Sequence, residues 1–322
     1  MKPSHVLLSL IAAFLLLMAA CGKNADKQKN EKALSPDTNK KLHVVSSFTI
    51  LSDIVREIGE GHVAVHNLVP PGTDPHEYVP LPGDIKAATD ADLLVKNGFN
   101  LEGGENGWFA KLVRAAGQDE SHVYTLTKGV QPMYLTSNKG RKGEINPHAF
   151  TDPVVGIKMA ENVRDALIEV DPEHKKEYSE NAASYIKMLK DMDAEYRAKI
   201  AKIPKKNRVL VTSERAFQYL AAEYGLKEGY IWAIDTEDNG NPRQIKSLLA
   251  FLKTHDVPVL FLETNVDKRP MKTISSESEI EIYGPIYSDE IGKPGAKVDT
   301  YKKYLQFNID QIYNGLTTGS KN

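Results

Sequence analysis

Short β-rich runs alternate with longer helical patterns in two separate parts of the chain. Strands that alternate with helices in this way form parallel sheets. The sequence therefore predicts an α/β fold with two lobes, each built on a parallel-rich sheet. The eight runs are LHVVSSF (42–48), VAVHNLV (63–69), DLLVKNG (92–98), HVYTL (122–126), RVLVTS (208–213), YIWAI (230–234), VPVLFLE (257–263) and IEIYGPIY (280–287).

The segment between the two sets of runs, residues 153–203, contains no strand candidate. Its one clear break is Asp171-Pro172, where proline suits a first helical turn. A helix of about 30 residues follows, which would be about 45 Å long. A plain surface helix is one interpretation, but a rigid connection between two lobes fits its length and position better. The residues spaced for one buried face are Tyr178, Tyr185, Leu189, Met192 and Tyr196.

The start of the chain predicts export and anchoring. Residues 1–20 carry an early lysine, an apolar run and two small residues, which is the pattern of a secretory signal peptide. Residues 18–21 resemble a bacterial lipobox, and Cys21 is the chain's single cysteine, so lipid attachment explains it. An incidental free thiol is the alternative. Residues 21–40 are polar and lysine-rich, as expected for a flexible tether.

The remaining chain divides into three predicted parts: an N-terminal lobe at 41–170, a linking helix at 171–203 and a C-terminal lobe at 204–322. The net charge of -2 leaves no broad basic face, which excludes nucleic acid as a partner. No later apolar run reaches the length of about 18 residues that a membrane span needs. The body is expected to be a monomer, and any transmembrane pore must come from another protein.

Four potential metal ligands share one sequence context, because each lies just after a strand, in a turn or at the start of a helix. They are His76, His148, Glu214 and Asp289. Successive members lie 72, 66 and 75 residues apart, so only the fold could bring them together. The carboxyl ends of parallel strands face a crevice where ligands bind, and two facing crevices could each supply two ligands.

Prolines stiffen the chain around both histidines. Pro71, Pro75 and Pro80 surround His76, and His148 is likewise set between prolines. Proline fixes its own backbone and restricts the residue before it, which lowers the entropic cost of holding a ligand. Purely structural roles remain possible instead of metal binding: each histidine could be a hydrogen-bonded surface residue, Glu214 could cap a helix, and Asp289 could stabilise a turn.

Six motifs in order resemble the metal-binding lipoproteins of bacterial ABC importers for manganese, zinc or iron (solute-binding protein family 9, cluster A-I), most closely the manganese type. The resemblance implies two α/β lobes on one long helix, with the metal held between them by His76, His148, Glu214 and Asp289. Phe150 stands where tryptophan is common, and Arg215 stands where a small residue is usual and is expected to alter access or charge near the site. The motifs are DPHEYVP (74–80), NPHAFTDP (146–153), VTSERAF (211–217), IWAIDTEDNGNPRQI (231–245), ETNVDKRPM (263–271) and IYSDEIG (286–292).

The donor set favours manganese(II) as the ion. Manganese accepts more oxygen and higher coordination than zinc, which prefers nitrogen and sulfur. Zinc-type relatives carry a histidine-rich loop between the first two ligands, and residues 127–145 contain no histidine. Zinc(II) and iron(II) remain as alternatives, because zinc binds most sites more tightly than manganese.

The expected function is capture of a divalent ion on the extracytoplasmic face of the cell membrane, where Cys21 anchors the protein. The ion is then delivered to an ABC permease and its ATPase subunit. A metalloenzyme would need an open coordination position and a nearby acid or base, and four protein ligands leave little room for them. A surface adhesin is a further alternative for which no residue argues specifically.

Overall fold

A computed structural model describes residues 41–135, 143–234 and 239–318. The predicted signal peptide at 1–20, the lipidated Cys21 and the tether at 21–40 lie outside the described residues.

The N-terminal lobe is built on a four-stranded parallel sheet with the order β2-β1-β3-β4. The central strand β1 is buried from Val44 to Phe48, as expected for a parallel sheet that is covered on both faces. All four predicted strands are present, and the two later ones are shorter than the apolar runs. The strands are β1 Leu42–Phe48, β2 Val63–Val69, β3 Leu93–Lys96 and β4 Val123–Thr125.

Four helices complete this lobe. Proline occupies the first turn of two of them, where its missing N–H costs nothing. Asp152 caps one of these, since its carboxylate accepts a hydrogen bond of 2.9 Å from the N–H of Val154. The helices are α1 Thr49–Gly59, α2 Pro82–Thr89, α3 Trp108–Ala115 and α4 Pro153–Val170.

The predicted long helix is α5, Lys175–Lys202, which has 28 residues and follows a 3-10 turn at Pro172–His174. All five side chains predicted for its apolar face are buried. The side chain of Asn181 donates to the carbonyl of Ile58 in α1 at 3.1 Å. The hydroxyl of Tyr196 donates to the carbonyl of Leu305, near the C-terminus of the chain, at 2.7 Å. The helix therefore packs along both lobes.

The C-terminal lobe contains two parallel strand pairs, β5 with β6 and β7 with β8. The run expected as a strand at 230–234 starts earlier, because Gly225 ends the preceding helix in a left-handed conformation and the N–H of Lys227 already donates to the carbonyl of Arg208. The strands are β5 Val209–Glu214, β6 Lys227–Trp232, β7 Leu260–Glu263 and β8 Ile282–Ile286. The helices are α6 Gln218–Tyr224, α7 Pro242–Leu252, α8 Lys268–Ser278 and α9 Tyr301–Thr318.

One hydrophobic core runs through both lobes and the long helix. It includes Phe48 and Phe150, whose ring centroids are 5.1 Å apart, together with Tyr196, Leu210 and Tyr304. A smaller cluster lies between strands β5, β6 and β7 and helices α7 and α8. Across the described ranges, no helix combines the length and apolar character that a membrane crossing requires.

Candidate metal centre

The four predicted ligand residues meet at one point. One ligand atom from each of His76, His148, Glu214 and Asp289 lies within 4.8 Å of the others. His148 is central, because its Nε2 lies 3.3 Å from His76 Nε2, 3.2 Å from Asp289 Oδ1 and 3.7 Å from Glu214 Oε2. Two nitrogens and two carboxylate groups from four distant segments thus surround a common centre.

Each of the four residues follows a strand or precedes a helix. His76 lies in the turn after β2, and His148 begins a 3-10 turn just before α4. Glu214 is the last residue of β5, and Asp289 lies in the loop after β8. The N-terminal lobe therefore supplies both imidazoles and the C-terminal lobe both carboxylates.

The site is enclosed. His148 and Glu214 are fully buried, Asp289 is nearly so, and His76 is partly exposed. Burial of two carboxylates is costly unless a cation or strong hydrogen bonds compensate for it. His76 lies on the side from which solvent reaches the centre.

The pKa shifts of His76 and Asp289 favour the forms that bind a metal ion. Burial, reinforced by the neighbouring His148, lowers the pKa of His76 to about 4, so this imidazole is neutral near pH 7. Burial alone would raise the pKa of Asp289, but the positive charge that His148 and His76 carry when protonated, together with the hydrogen bond from Asn265, outweighs burial and lowers it. A neutral imidazole and an ionised carboxylate are the forms that bind metals.

Asn146 sets the tautomer of His148. Its side-chain nitrogen donates to the carbonyl of Arg215 at 2.8 Å and to Oε1 of Gln218 at 3.0 Å, which identifies its oxygen as the acceptor that faces His148. That oxygen lies 2.8 Å from Nδ1 of His148, so Nδ1 carries the proton. The lone pair of Nε2 consequently points at the centre, as in metal sites where a second residue orients the imidazole.

The turn that carries His76 is fixed by bonds to its backbone. The N–H of His76 donates to Oδ1 of Asp74 at 2.7 Å, and the indole N–H of Trp108 donates to the carbonyl of Pro75 at 2.8 Å. Gly72 has a φ of +86°, a left-handed conformation that favours glycine. The turn holds His76 in place through these bonds as well as through its prolines.

Glu263 and Asn265 hold the two carboxylate ligands. The buried carboxylate of Glu263 accepts hydrogen bonds from the N–H of Ser213 at 3.0 Å and of Glu214 at 2.8 Å, which fixes the end of β5. The amide of Asn265 donates to Oδ2 of Asp289 at 3.2 Å. Sequence reasoning assigned no role to Asn146, Glu263 or Asn265, although all three lie in the motifs quoted above.

Arg215 does not direct its charge at the neighbouring Glu214. Its Nε donates to Oε1 of Glu228 at 2.9 Å, and Nη1 donates to the carbonyl of Leu135 at 2.8 Å. Its charge is thus balanced by Glu228, and its side chain ties β6 to the segment before residue 136. Phe150, the other departure from the family pattern, is fully buried beside the ring of His148, with a centroid distance of 5.9 Å.

The fold and the gathered donors together define a two-lobed metal-binding protein of the α/β class. The family model described as zinc-uptake complex component A, periplasmic, matches residues 44–315. The chain therefore belongs to this family, whose members are solute-binding proteins of ABC transporters and not enzymes.

Individual relatives are similar over nearly their full length. The metal ABC transporter substrate-binding lipoprotein SsaB of Streptococcus sanguinis is 42% identical over 303 residues, which cover 94% of this chain and 97% of the relative. The manganese ABC transporter substrate-binding lipoprotein PsaA of Streptococcus pneumoniae is 40% identical over 317 residues, covering 98% and 99%. The manganese-bound periplasmic metal binding protein of Candidatus Liberibacter asiaticus superposes with a TM-score of 0.76 at 28% identity, covering 86% of this chain and all of that structure.

Proposed function

We propose that this protein captures manganese(II) outside the cytoplasmic membrane and delivers it to the permease of an ABC importer, with His76, His148, Glu214 and Asp289 as the ligands. The convergence of two imidazoles and two carboxylates within 4.8 Å carries the proposal. Their separation along the chain means that no local sequence motif could bring them together, so the fold itself builds a cation site.

The choice of manganese rests on the oxygen content of the donor set. Each carboxylate can bind through two oxygens, which suits an ion that accepts high coordination numbers. Several of the similar relatives are named as manganese-binding lipoproteins. The name of the matching family model refers to zinc, and zinc(II) is the second candidate because two imidazoles are also good zinc ligands.

The proposed cycle also needs an anchor and a partner. Lipid attachment at Cys21 would hold a monomeric body close to the membrane, with residues 21–40 as the tether. A permease with its ATPase subunit would then receive the ion. Replacement of Cys21 by Ala is the direct test of the anchor, because the protein should move from the membrane fraction to the soluble fraction.

Metal titration tests the site. His148→Ala should weaken Mn²⁺ affinity by more than about 100-fold, since changes to residues that merely orient a ligand already cost about 10–100-fold. The matched control is His122→Ala, which removes an exposed histidine in the 3-10 turn just before β4. Calorimetry on metal-free protein measures both, and near-normal affinity in the His148 variant would remove this residue from the site.

Uptake assays in cells identify which ion is transported. Cells that lack the protein should lose manganese uptake and keep zinc uptake. The opposite result would identify zinc as the transported ion while leaving the ligand assignment intact.

A further inference from the structure

Glu290, the residue after Asp289, joins the two sides of the metal centre without belonging to the donor set. It lies in the loop after β8 and is only 8% exposed. Its Oε2 accepts a hydrogen bond from the N–H of Gly72, in the turn that carries His76. Its Oε1 accepts a hydrogen bond of 3.0 Å from the hydroxyl of Thr264, just after β7. One carboxylate therefore bridges the N-terminal and C-terminal lobes.

Ile291, the next residue, adds a second hydrogen bond between the two lobes. The N–H of Ile291 donates to the hydroxyl of Thr49, at the start of α1, at 3.0 Å. Three consecutive residues thus have separate targets: Asp289 faces the centre, Glu290 holds the His76 turn and Ile291 holds α1. This short segment of the C-terminal lobe is attached to the N-terminal lobe at two points beside the site.

The position of the His76 turn gives this bridge a consequence for ion exchange. His76 is the most exposed of the four donors, whereas the other three are buried. An ion that leaves the centre must therefore pass the His76 side. Outward movement of this turn breaks the hydrogen bond between Gly72 and Glu290, and hydrogen bonds to a charged acceptor are stronger than neutral ones.

We propose that Glu290 is a positioning residue that latches the His76 turn over the metal centre and so sets the rate at which the bound ion leaves. This inference rests on the proposed function, because it assumes that the four donors hold an ion. It assigns to Glu290 no contact with the ion. The latch acts on the equilibrium between the closed and the open turn, so its loss favours the open turn and raises the dissociation rate.

Dissociation kinetics on the purified protein test the latch. Mn²⁺ and Zn²⁺ are each loaded, and their transfer to an excess of chelator is followed by stopped flow. Glu290→Ala should raise the dissociation rate about tenfold, as expected for loss of a hydrogen bond to a charged group. Glu290→Gln, which keeps the size and one acceptor oxygen, should give a smaller rise.

Two further variants separate the latch from other effects. Glu77→Gln removes a negative charge from an exposed residue of the same turn and should leave dissociation unchanged. Thr264→Val removes one hydrogen bond without changing the charge, and it should also raise dissociation. If Glu290→Ala fails to fold, the dissociation rate of Thr264→Val tests the latch instead.

The outcomes distinguish this inference from the proposed function. Wild-type protein that binds neither ion would refute the proposed function and the latch together. Wild-type binding with unchanged dissociation in the Glu290 and Thr264 variants would overturn the latch alone. An equal rise in Glu77→Gln would also overturn it, because the effect would then be one of net charge.

Discussion

At the scale of single residues, Asn146 shows how one amide sets the chemistry of a neighbouring imidazole. Its oxygen accepts a hydrogen bond from Nδ1–H of His148, while its nitrogen donates to the carbonyl of Arg215 and to Oε1 of Gln218. Because Arg215 follows Glu214, the same amide connects His148 in one lobe, a proposed ligand, to the segment of the other lobe that carries the proposed ligand Glu214. The two ligands are thus positioned together.

Replacement of Asn146 by Ala should weaken metal binding by about 10–100-fold, the usual cost of removing a residue that orients a ligand. The reason is that Nδ1 of His148 loses its acceptor, so the imidazole can rotate or change tautomer. Competition against a chelator measures the affinity, and nitrogen NMR of His148 reports which ring nitrogen carries the proton.

The control for this substitution is Asn162→Ala in α4. The Asn162 amide also donates to two carbonyls, those of Leu126 and Lys128, but contacts none of the four proposed ligands. Unchanged affinity and an unchanged tautomer in the Asn146 variant would contradict the orienting role.

Residue by residue, the sequence predicts the donors better than it predicts their supports. His76, His148, Glu214 and Asp289 each stand directly after a strand or before a helix, and this context can be read locally. The roles of Asn146 and Glu263 depend on hydrogen bonds to residues that are 49 to 72 positions away. Such pairs leave no periodic pattern, because only the folded chain brings them together.

At the scale of elements, the junction between α1 and α9 contains a buried carboxyl group. Asp53 of α1 is 7% exposed, and its Oδ2 accepts a hydrogen bond of 2.7 Å from the N–H of Tyr301, the first residue of α9. An acid from one lobe thus caps a helix of the other. Burial raises the pKa of Asp53 to about 7; the hydrogen bond from Tyr301 opposes the rise, and Glu57 adds to it.

This junction should make stability depend on pH. The folded protein holds the Asp53 proton up to about pH 7, whereas the unfolded chain releases it near pH 4. The stabilising contribution of the protonated carboxyl is therefore fully present below about pH 4 and is lost as the pH rises through about 7. Asp53→Asn keeps an acceptor for Tyr301 and removes the charge, so it should exceed the wild type in stability at pH 8 by about 4 kcal/mol, the equivalent of a pKa shift of about three units.

Urea unfolding at pH 5 and pH 8 measures this difference, which should be less than half as large at the lower pH. Asp90→Asn, at an exposed position just after α2, is the control and should change neither value. Some pH dependence should remain in the Asp53 variant, because burial also raises the pKa of Asp152 to about 7. A wild-type pH profile in the variant would show that Asp53 is ionised in the folded protein.

Local sequence patterns predict well which helices and strands form, and they predict the boundaries of these elements less well. The long helix α5 is predicted correctly because its apolar residues recur at helical spacing over many turns. The strand β6 is displaced towards the N-terminus because Lys227 and Glu228 are polar, yet their backbone pairs with β5. Helix α6 begins only at Gln218, because the residues between Glu214 and Gln218 form a turn in which Arg215 contacts Asn146 and Glu228.

At the scale of the whole molecule, the lobes share their interior. The main core reaches from Val44 in the first strand to Leu316 in the last helix. Alternate residues of β5 serve different clusters, with Leu210 in the main core and Val211 in the smaller one. The smaller cluster lies within the C-terminal lobe, but that lobe also contributes strand and helix residues to the main core, so we expect the two lobes to unfold together.

The described body should therefore unfold in one transition, and metal binding should raise the midpoint of that single transition. Ion at a hundred times its dissociation constant stabilises the folded state by about 2.7 kcal/mol. For a body of this size the unfolding midpoint should rise by about 5–10 °C. Calorimetry with Mn²⁺ and then with excess chelator measures the gain and its reversal.

The His148→Ala variant is the control for this shift, because it should unfold in one transition without a metal-dependent rise. Two resolved transitions in the wild type would show that the lobes are independent. An equal rise in the variant would place the stabilising ion elsewhere.

The spacing of the four donors also restricts when the protein can take up its ion. Segments of 66 to 75 residues separate neighbouring donors, so an unfolded chain presents isolated side chains and no local chelating motif. The polypeptide would thus bind no metal at this site during translation and passage through a translocation channel. If the chain is exported unfolded and the four residues are the ligands, loading would begin only after folding outside the cytoplasm, and cytosolic metal would not be carried out with the nascent chain.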